Sequence, residues 1–325
     1  MMPRARSCLA QVAIAVVAAV ASFHAYAQEY PTQPIRLLVG FAPGGGLDIS
    51  CRLWAQKLSA RVGQPVVVEN RPGASGELSI KQTIAAKPDG HTLVCVSGSN
   101  PISSAKPNAP FDIRTDIAPV IEMNKFTFAM YVNASLPFRS VADLVAYAKA
   151  SPGKLNYASV GTGSTPHLAF ELFKMQTGID IVHVPFKGTA QTSAAILAGD
   201  VQVGLDAIAA IKPHFDAGTL RPIAVVSAKR TPLAPNVPGM EDSGVTGVDV
   251  QSYSGVGAPA GTPRAIVDAL NRHFNAILQE PDVRAAFAAQ GYEVAGGTPE
   301  DFRRALAADV DAWSRVIRAA NVKFD

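Results

Sequence analysis

Charge is scarce in this 325-residue sequence: Asp, Glu, Lys and Arg make up 17% of it, and Lys plus Arg exceed Asp plus Glu by only 29 to 26. No run of five basic residues occurs, which excludes the footprint of a nucleic-acid or anionic-membrane binder. Cysteine is nearly absent, at three residues, and no His or Cys stands at zinc-ligand spacing from Cys51 or Cys95, so no metal site is expected. Low-complexity tracts, heptad arrays and short-period repeats are missing, and the 26 Gly and 24 Pro are dispersed instead of periodic. What is plentiful is apolar. A hydrophobic content of 48% excludes intrinsic disorder, and the length suits two domains of about 150 residues each.

The first 27 residues read as a secretory signal peptide. Arg4 and Arg6 precede an apolar run from Leu9 to Ala21, and Ala25-Tyr26-Ala27 places small residues at the −3 and −1 positions before Gln28. The run is shorter than the roughly 17 to 25 residues of a membrane span, so cleavage after Ala27 and release into the periplasm are expected. Cys8 precedes the apolar run, which argues against a lipid anchor. Removing 27 of 325 residues leaves 298, and losing Arg4 and Arg6 lowers the net charge from +3 to +1. Export would expose Cys51 and Cys95 to oxidising conditions. Cysteine is also a good small core residue, and two buried thiols are favoured over a disulfide.

The mature chain alternates strand and helix patterns. Strands are expected at Ile35–Phe41, Pro65–Glu69 and Thr92–Ser97, with helices over Asp48–Arg61 and Gly76–Lys87. A second run follows, with strands at Phe128–Val132, Leu155–Ser159, Ile181–Pro185, Val201–Leu205 and Pro222–Val226. Its helices open at the capping box Ser140-Val-Ala-Asp143, at Thr165-Pro166, near Ala190 and at Ile208. Helices starting at Thr262-Pro263 and Thr298-Pro299 enclose a short segment, Tyr292–Val294. This C-terminal part holds too few strands for a third domain and is expected to return to the first. Such alternation predicts α/β units with mostly parallel sheets flanked by helices.

Two loops could carry chemistry. Pro43-Gly44-Gly45-Gly46-Leu47-Asp48 ends a strand and opens a helix, and successive glycines can aim N–H groups at an anion. It lacks the lysine and hydroxyl ending of a P-loop and the glycine spacing of a dinucleotide fold. The alternative is a plain glycine turn with Asp48 capping its own helix. Ser159-Val-Gly-Thr-Gly-Ser-Thr-Pro-His167 occupies the corresponding junction of the second unit, with Ser164 or Thr165 as N-cap and His167 bracing the loop. Ligands of open α/β sheets bind outside the carboxyl ends of strands, so two facing units would bring both loops to one cleft suited to a small carboxylate. A hydrolase would need Ser164 and His167 as nucleophile and base, but no Gly-x-Ser-x-Gly elbow occurs, and no catalytic residue is assigned. His91, His183, His214 and His273 show no ligand pairing at i,i+4. Asp206 ends a strand, where it could reach the cleft or cap the helix near Ile208.

Several motifs, in this order, resemble the Bug or TctC family, the extracytoplasmic solute-binding receptors of tripartite tricarboxylate transport systems. They are Tyr30-Pro-Thr-Gln-Pro-Ile35, Phe41-Ala-Pro-Gly-Gly-Gly-Leu-Asp48, Glu69-Asn-Arg-Pro-Gly-Ala-Ser-Gly76, Lys87-Pro-Asp-Gly-His-Thr-Leu93, Val184-Pro-Phe-Lys-Gly188 and Ala258-Pro-Ala-Gly-Thr-Pro263. The resemblance implies a two-domain periplasmic-binding-protein clamshell, type II-like. Residues 28–125 plus 251–325 would form a discontinuous first domain and residues 126–250 the second, closing about hinges near 125 and 250. It also implies ligand contacts at Phe41, Pro43, Gly44, Gly45 and Asp48, and at Ser159, Gly163, Ser164, Thr165 and His167, with Ser97, Ser99 and Asp206 beside them. Leu47, placed facing the loop, stands where many members carry a small or hydroxylated residue, and Cys51 where alanine is common. No cofactor is expected. The expected partners are a small carboxylate and membrane transporter subunits, or alternatively a membrane sensor that reads ligand occupancy. The protein is expected to act as a monomer.

Overall fold

The computed structural model describes residues 30–324, so the expected signal peptide lies outside the described residues. The first sheet begins with β1 (Ile35–Val39), which leads into α1 (Gly46–Val62) and returns as β2 (Val66–Asn70). A 3-10 turn (Ala74–Gly76), α2 (Glu77–Ile84), β3 (Thr92–Ser97), α3 (Ser99–Ala105) and the short α4 (Ile113–Asp116) follow. β1 pairs in parallel with β2 and with β3, as right-handed crossovers through a helix require. Period-two alternation divides β1 between two cores: Ile35, Leu37 and Val39 meet Trp54 and Leu58 of α1, while Leu38 meets Ile80 on the opposite face.

β4 (Ile117–Asn133) is the strand that joins the halves. Its first part pairs with β9 (Gln251–Pro259) through Thr127, and its second part, from Phe128, pairs with β7 (Val203–Ala207) and β8 (Leu220–Val225). Between them the chain forms α5 (Val141–Ala150), β5 (Asn156–Ser159), α6 (Thr165–Thr177), β6 (Val182–Pro185), α7 (Thr189–Ala198) and α8 (Ile208–Asp216). β5 pairs in parallel with β6 and β7. After β9 come α9 (Arg264–Ile277), α10 (Pro281–Ala289), β10 (Glu293–Val294) and α11 (Pro299–Ala319). β9 inserts between β3 and β4, and β10 pairs with β4, so the C-terminal strands lie in the sheet where the described chain begins.

Four features differ from expectation. The outer strands are parallel, but every pairing made by β4 or β9 is antiparallel. β4 is also far longer than Phe128–Val132, because Pro119, Glu122 and Asn124 interrupt its alternation at two register shifts without ending the strand. No strand was expected at 251–259, where the segment is rich in glycine and serine. Gly255 shows why: a Cβ there would stand 2.5 Å from the Ile121 carbonyl oxygen and 2.5 Å from the Phe302 ring, so only glycine allows this close approach.

The fourth difference is a disulfide. Cys51 and Cys95 are both buried, as expected, but they are bonded, with their Cα atoms 6.7 Å apart. The crossover lays α1 across β1 and β3, and the buried stripe of α1 that carries Trp54 and Leu58 also carries Cys51 onto Cys95. Neither thiol should react with an alkylating agent in the unfolded protein until a reductant is added. Peptide mapping without reduction should recover the two cysteines in one species, and two freely alkylated cysteines would contradict the pairing.

Candidate functional site

Loops after the carboxyl ends of β1, β2, β3 and β5 supply the site. α1 starts at Gly46, with Gly45 as its N-cap and no side chain capping it. Its first-turn N–H groups are therefore left for solvent or a ligand, at the positive end of a 17-residue helix. Asp48 is not the N-cap but the third helical residue, and its carboxylate turns back on the loop. Oδ2 accepts from the Gly44 N–H and from Arg52 Nε, each at 2.9 Å, and Oδ1 from Asn70 Nδ2 at 2.7 Å. Asp48 is only 2% exposed. Burial alone would raise its pKa, but the hydrogen bonds from Arg52, Gly44 and Asn70 outweigh burial and hold it below the usual carboxylate range. It is thus an ionised anchor whose acceptor capacity is spent on the loop.

Asn70, unassigned from sequence, is the clamp of this corner. The same Nδ2 that reaches Asp48 also donates to the Phe41 carbonyl at 3.0 Å, tying the ends of β1 and β2 together. Its place at the end of a strand and inside the Glu69–Gly76 motif was the available signal. Leu47 does not face the loop as expected; it packs on the core around Trp54. Tyr292 does approach, since a Cβ on Gly46 would lie 2.6 Å from its hydroxyl. Pro43, Gly44 and Gly45 are exposed at the rim.

After β3, Asn100 is the organising residue that sequence reasoning missed. Its Oδ1 accepts the Ser97 N–H at 2.7 Å and lies 3.3 Å from the Ser97 hydroxyl. Ser99 opens α3 and is buried.

The second loop is held by its own side chains. Ser164 is the N-cap of α6: its Oγ accepts the His167 N–H at 3.4 Å and donates to the Gly161 carbonyl at 2.6 Å. His167 Nδ1 accepts the Gly163 N–H at 3.1 Å, so the imidazole braces the loop and does not address the Ser164 hydroxyl. The serine and histidine that do meet are Ser159 and His183, 2.7 Å apart. His167 and His183 stack at 4.0 Å, with Tyr157 stacked on His183 at 4.9 Å. Burial lowers the His167 pKa to about 4 and that of His183 to about 3, His167 adding to the latter, so both rings are neutral at pH 7. With Ser164 capping His167, the Thr165 N–H is the first-turn donor that no cap reaches.

The structure brings these loops together. Ser75 Oγ, in the turn after β2, donates to the Thr162 carbonyl at 3.2 Å across the two halves. A Cβ on Gly98 would sit 3.3 Å from Thr165 Oγ1, so the β3 loop also abuts the second loop. Asp206 stands apart from this group. It is 2% exposed, and the hydroxyls of Tyr131, Thr189 and Thr192 lie 2.8, 2.7 and 2.7 Å from its oxygens. It does not cap α8, whose N-cap is Ala207. Burial raises its pKa against the pull of those three hydroxyls. Its visible effect is to fix Thr189, the first residue of α7.

The uncapped first-turn N–H groups of α1 and the Thr165 N–H of α6 are donors that can hold an anion. The model of the tripartite tricarboxylate transporter family receptor matches residues 50–322. Protein BugT of Bordetella pertussis is 35% identical over 97% of this chain and 98% of its own length. Among solved structures, Rpa4515 of R. palustris with adipate is 36% identical, covers 90% of this chain and 99% of its own, and superposes with a TM-score of 0.83. MatC from Rhodopseudomonas palustris with bound malate is 27% identical, covers 89% and 100%, and has a TM-score of 0.81.

Proposed function

The chain belongs to the tripartite tricarboxylate transporter receptor family, and from that premise we propose that it captures a small dicarboxylate between its two glycine-rich loops. The carrying observation is that the turn after β2, which lies against Phe41 of the first loop, meets the second loop at the Ser75–Thr162 contact, while the α1 terminus and Thr165 keep first-turn N–H donors that no cap reaches. One carboxylate would sit on the α1 terminus with Phe41, Pro43, Gly44 and Gly45 around it. The other would face Thr165 and the N–H groups beside Gly163, with Ser97 and Ser99 lining the side. Asp48, Ser159, Ser164 and His167 act as positioning residues that hold the donors in place. The adipate and malate bound by two relatives are ligands of this kind.

In this reading the domains are residues 28–125 with 251–325, and 126–250, closing where β4 changes pairing partners and near residue 250. The protein is exported, cleaved after Ala27, and presents its closed form as a monomer to the membrane subunits of a transporter. No catalysis takes part: Ser164 and His167 are spent on bracing the loop. A micromolar complex needs about 8 kcal/mol, within reach of several charge-assisted hydrogen bonds in a water-poor cleft.

Isothermal titration of the protein spanning residues 28–325 with adipate and with malate tests the proposal. Saturable binding of at least one is expected. Absence of any heat, together with no thermal shift across a panel of dicarboxylates, amino acids and aromatic acids, would overturn it.

A further inference from the structure

A cavity of about 340 Å³ lies against the joining strands β4 and β9, closed by α11 and by Leu172 of α6. None of the residues assigned to the cleft lines it. Its polar wall holds Glu122 of β4, Tyr253 of β9 and Asp309 of α11, with Asp249 and Lys125 also lining it. Trp313 of α11 supplies an aromatic face.

Glu122 points to a missing donor. It is 8% exposed, yet its Oε1 has no hydrogen-bond partner. Lys125 does not satisfy Glu122: its Nζ stops 3.7 Å from Oε1, on a side chain that is 47% exposed. Leaving such atoms unpaired in a folded interior is costly. Three carboxyl groups face one ammonium, so the cavity selects for positive charge. Among the described residues no group of three His, Cys, Asp or Glu could hold a metal ion. The remaining class is an organic cation with N–H donors.

We propose that this cavity is a second binding site, for a small primary ammonium compound. The ammonium donates to Glu122 and Asp309 and sits beside the Tyr253 hydroxyl, while the alkyl portion lies against Trp313, whose ring face also favours a cation. A volume of about 340 Å³ sits at the small end of ligand pockets, which limits the occupant to a few carbons. Burial holds Glu122 and Asp309 above the ordinary carboxyl range, and a neighbouring ammonium would offset that cost by favouring their charged forms. Leu172 belongs to the second half of the chain and the other lining residues to the joining strands, the segment before β9 and the C-terminal helix. An occupant therefore touches both sides of the proposed hinge.

The test is titration of the mature protein with n-butylamine and, as a neutral isostere, 1-butanol. Saturable binding of n-butylamine, no binding of 1-butanol, and at least a tenfold loss in Glu122→Gln are expected. No n-butylamine binding, equal binding of 1-butanol, or unaltered binding in Glu122→Gln would overturn the proposal. Should Glu122→Gln fail to fold, Asp309→Asn carries the same expectation.

Discussion

Replacing Asp48 with alanine is expected to weaken dicarboxylate binding by about 10- to 100-fold, equivalent to about 1.4 to 2.8 kcal/mol. The carboxylate is the single acceptor that gathers the Gly44 N–H, Arg52 and Asn70. Without it, Asn70 keeps the Phe41 carbonyl and the bond from Arg52 to its Oδ1, but Gly44 loses the bond that fixes its N–H, so the loop samples conformations in which its donors diverge. A competing effect has the opposite sign, because deleting a negative charge near an anion site should help an anion bind. Arg52 decides between them: its guanidinium lies 2.9 Å from Oδ2, so the pair presents little net charge and the loss of geometry dominates. Arg52→Ala should accordingly change affinity far less, since that side chain is half exposed and Asp48 retains Gly44 and Asn70. Titration with adipate or malate separates the cases. Unaltered affinity in Asp48→Ala, or equal losses in both variants, would show that the carboxylate does not organise the site.

Local signals carried much of this fold. Thr298 forms the full capping box with Asp301 at the start of α11, and Ser140 caps α5 through the Asp143 N–H, because a hydroxyl three residues before a free N–H acts through bonds the sequence itself spaces. Ser164 was one of two candidates for the α6 cap, and proline at the second helical position left room for either. What local reasoning missed depends on partners far away in sequence. β9 is a strand because β3 and β4 flank it, and Gly255 is required there by Ile121 and Phe302. Cys51 pairs with Cys95 because a crossover 44 residues long stacks α1 on β3. Asn70 and Asn100 look like ordinary loop polar residues until the sheet places the ends of β1, β2 and β3 side by side. Asp206 offered two plausible roles, and both assumed a free carboxylate; the hydroxyls that occupy it come from β4 and α7, which no spacing rule connects to it.

Acidification should erode the stability of the fold around the buried, neutral His167 and His183, beginning below about pH 6.5. In the unfolded chain both His167 and His183 bind protons near pH 6.5, whereas burial holds them at about 4 and about 3 in the folded protein. Below pH 6.5 the unfolded state therefore takes up protons that the folded state refuses, and stability is lost as pH falls toward 4. A fully buried histidine costs about a factor of ten in the unfolding equilibrium per pH unit across that window; His183, more open to solvent than His167, contributes the smaller share. Asp206, Glu122 and Asp309, with pKa values raised by burial, act in the opposite direction, so the net slope alone is not diagnostic. The readout is the difference between wild type and His183→Gln in urea midpoint from pH 7.5 to 5, because those carboxyls are common to both. The wild-type midpoint should fall more steeply. Ligand affinity should hold to about pH 5 and fall as the pH approaches about 4, where a proton on His167 Nδ1 removes the acceptor of the Gly163 N–H and sets two donors against each other at the mouth of the α6 terminus. Parallel slopes for the two proteins would show that His183 stays hydrated and carries none of this pH dependence.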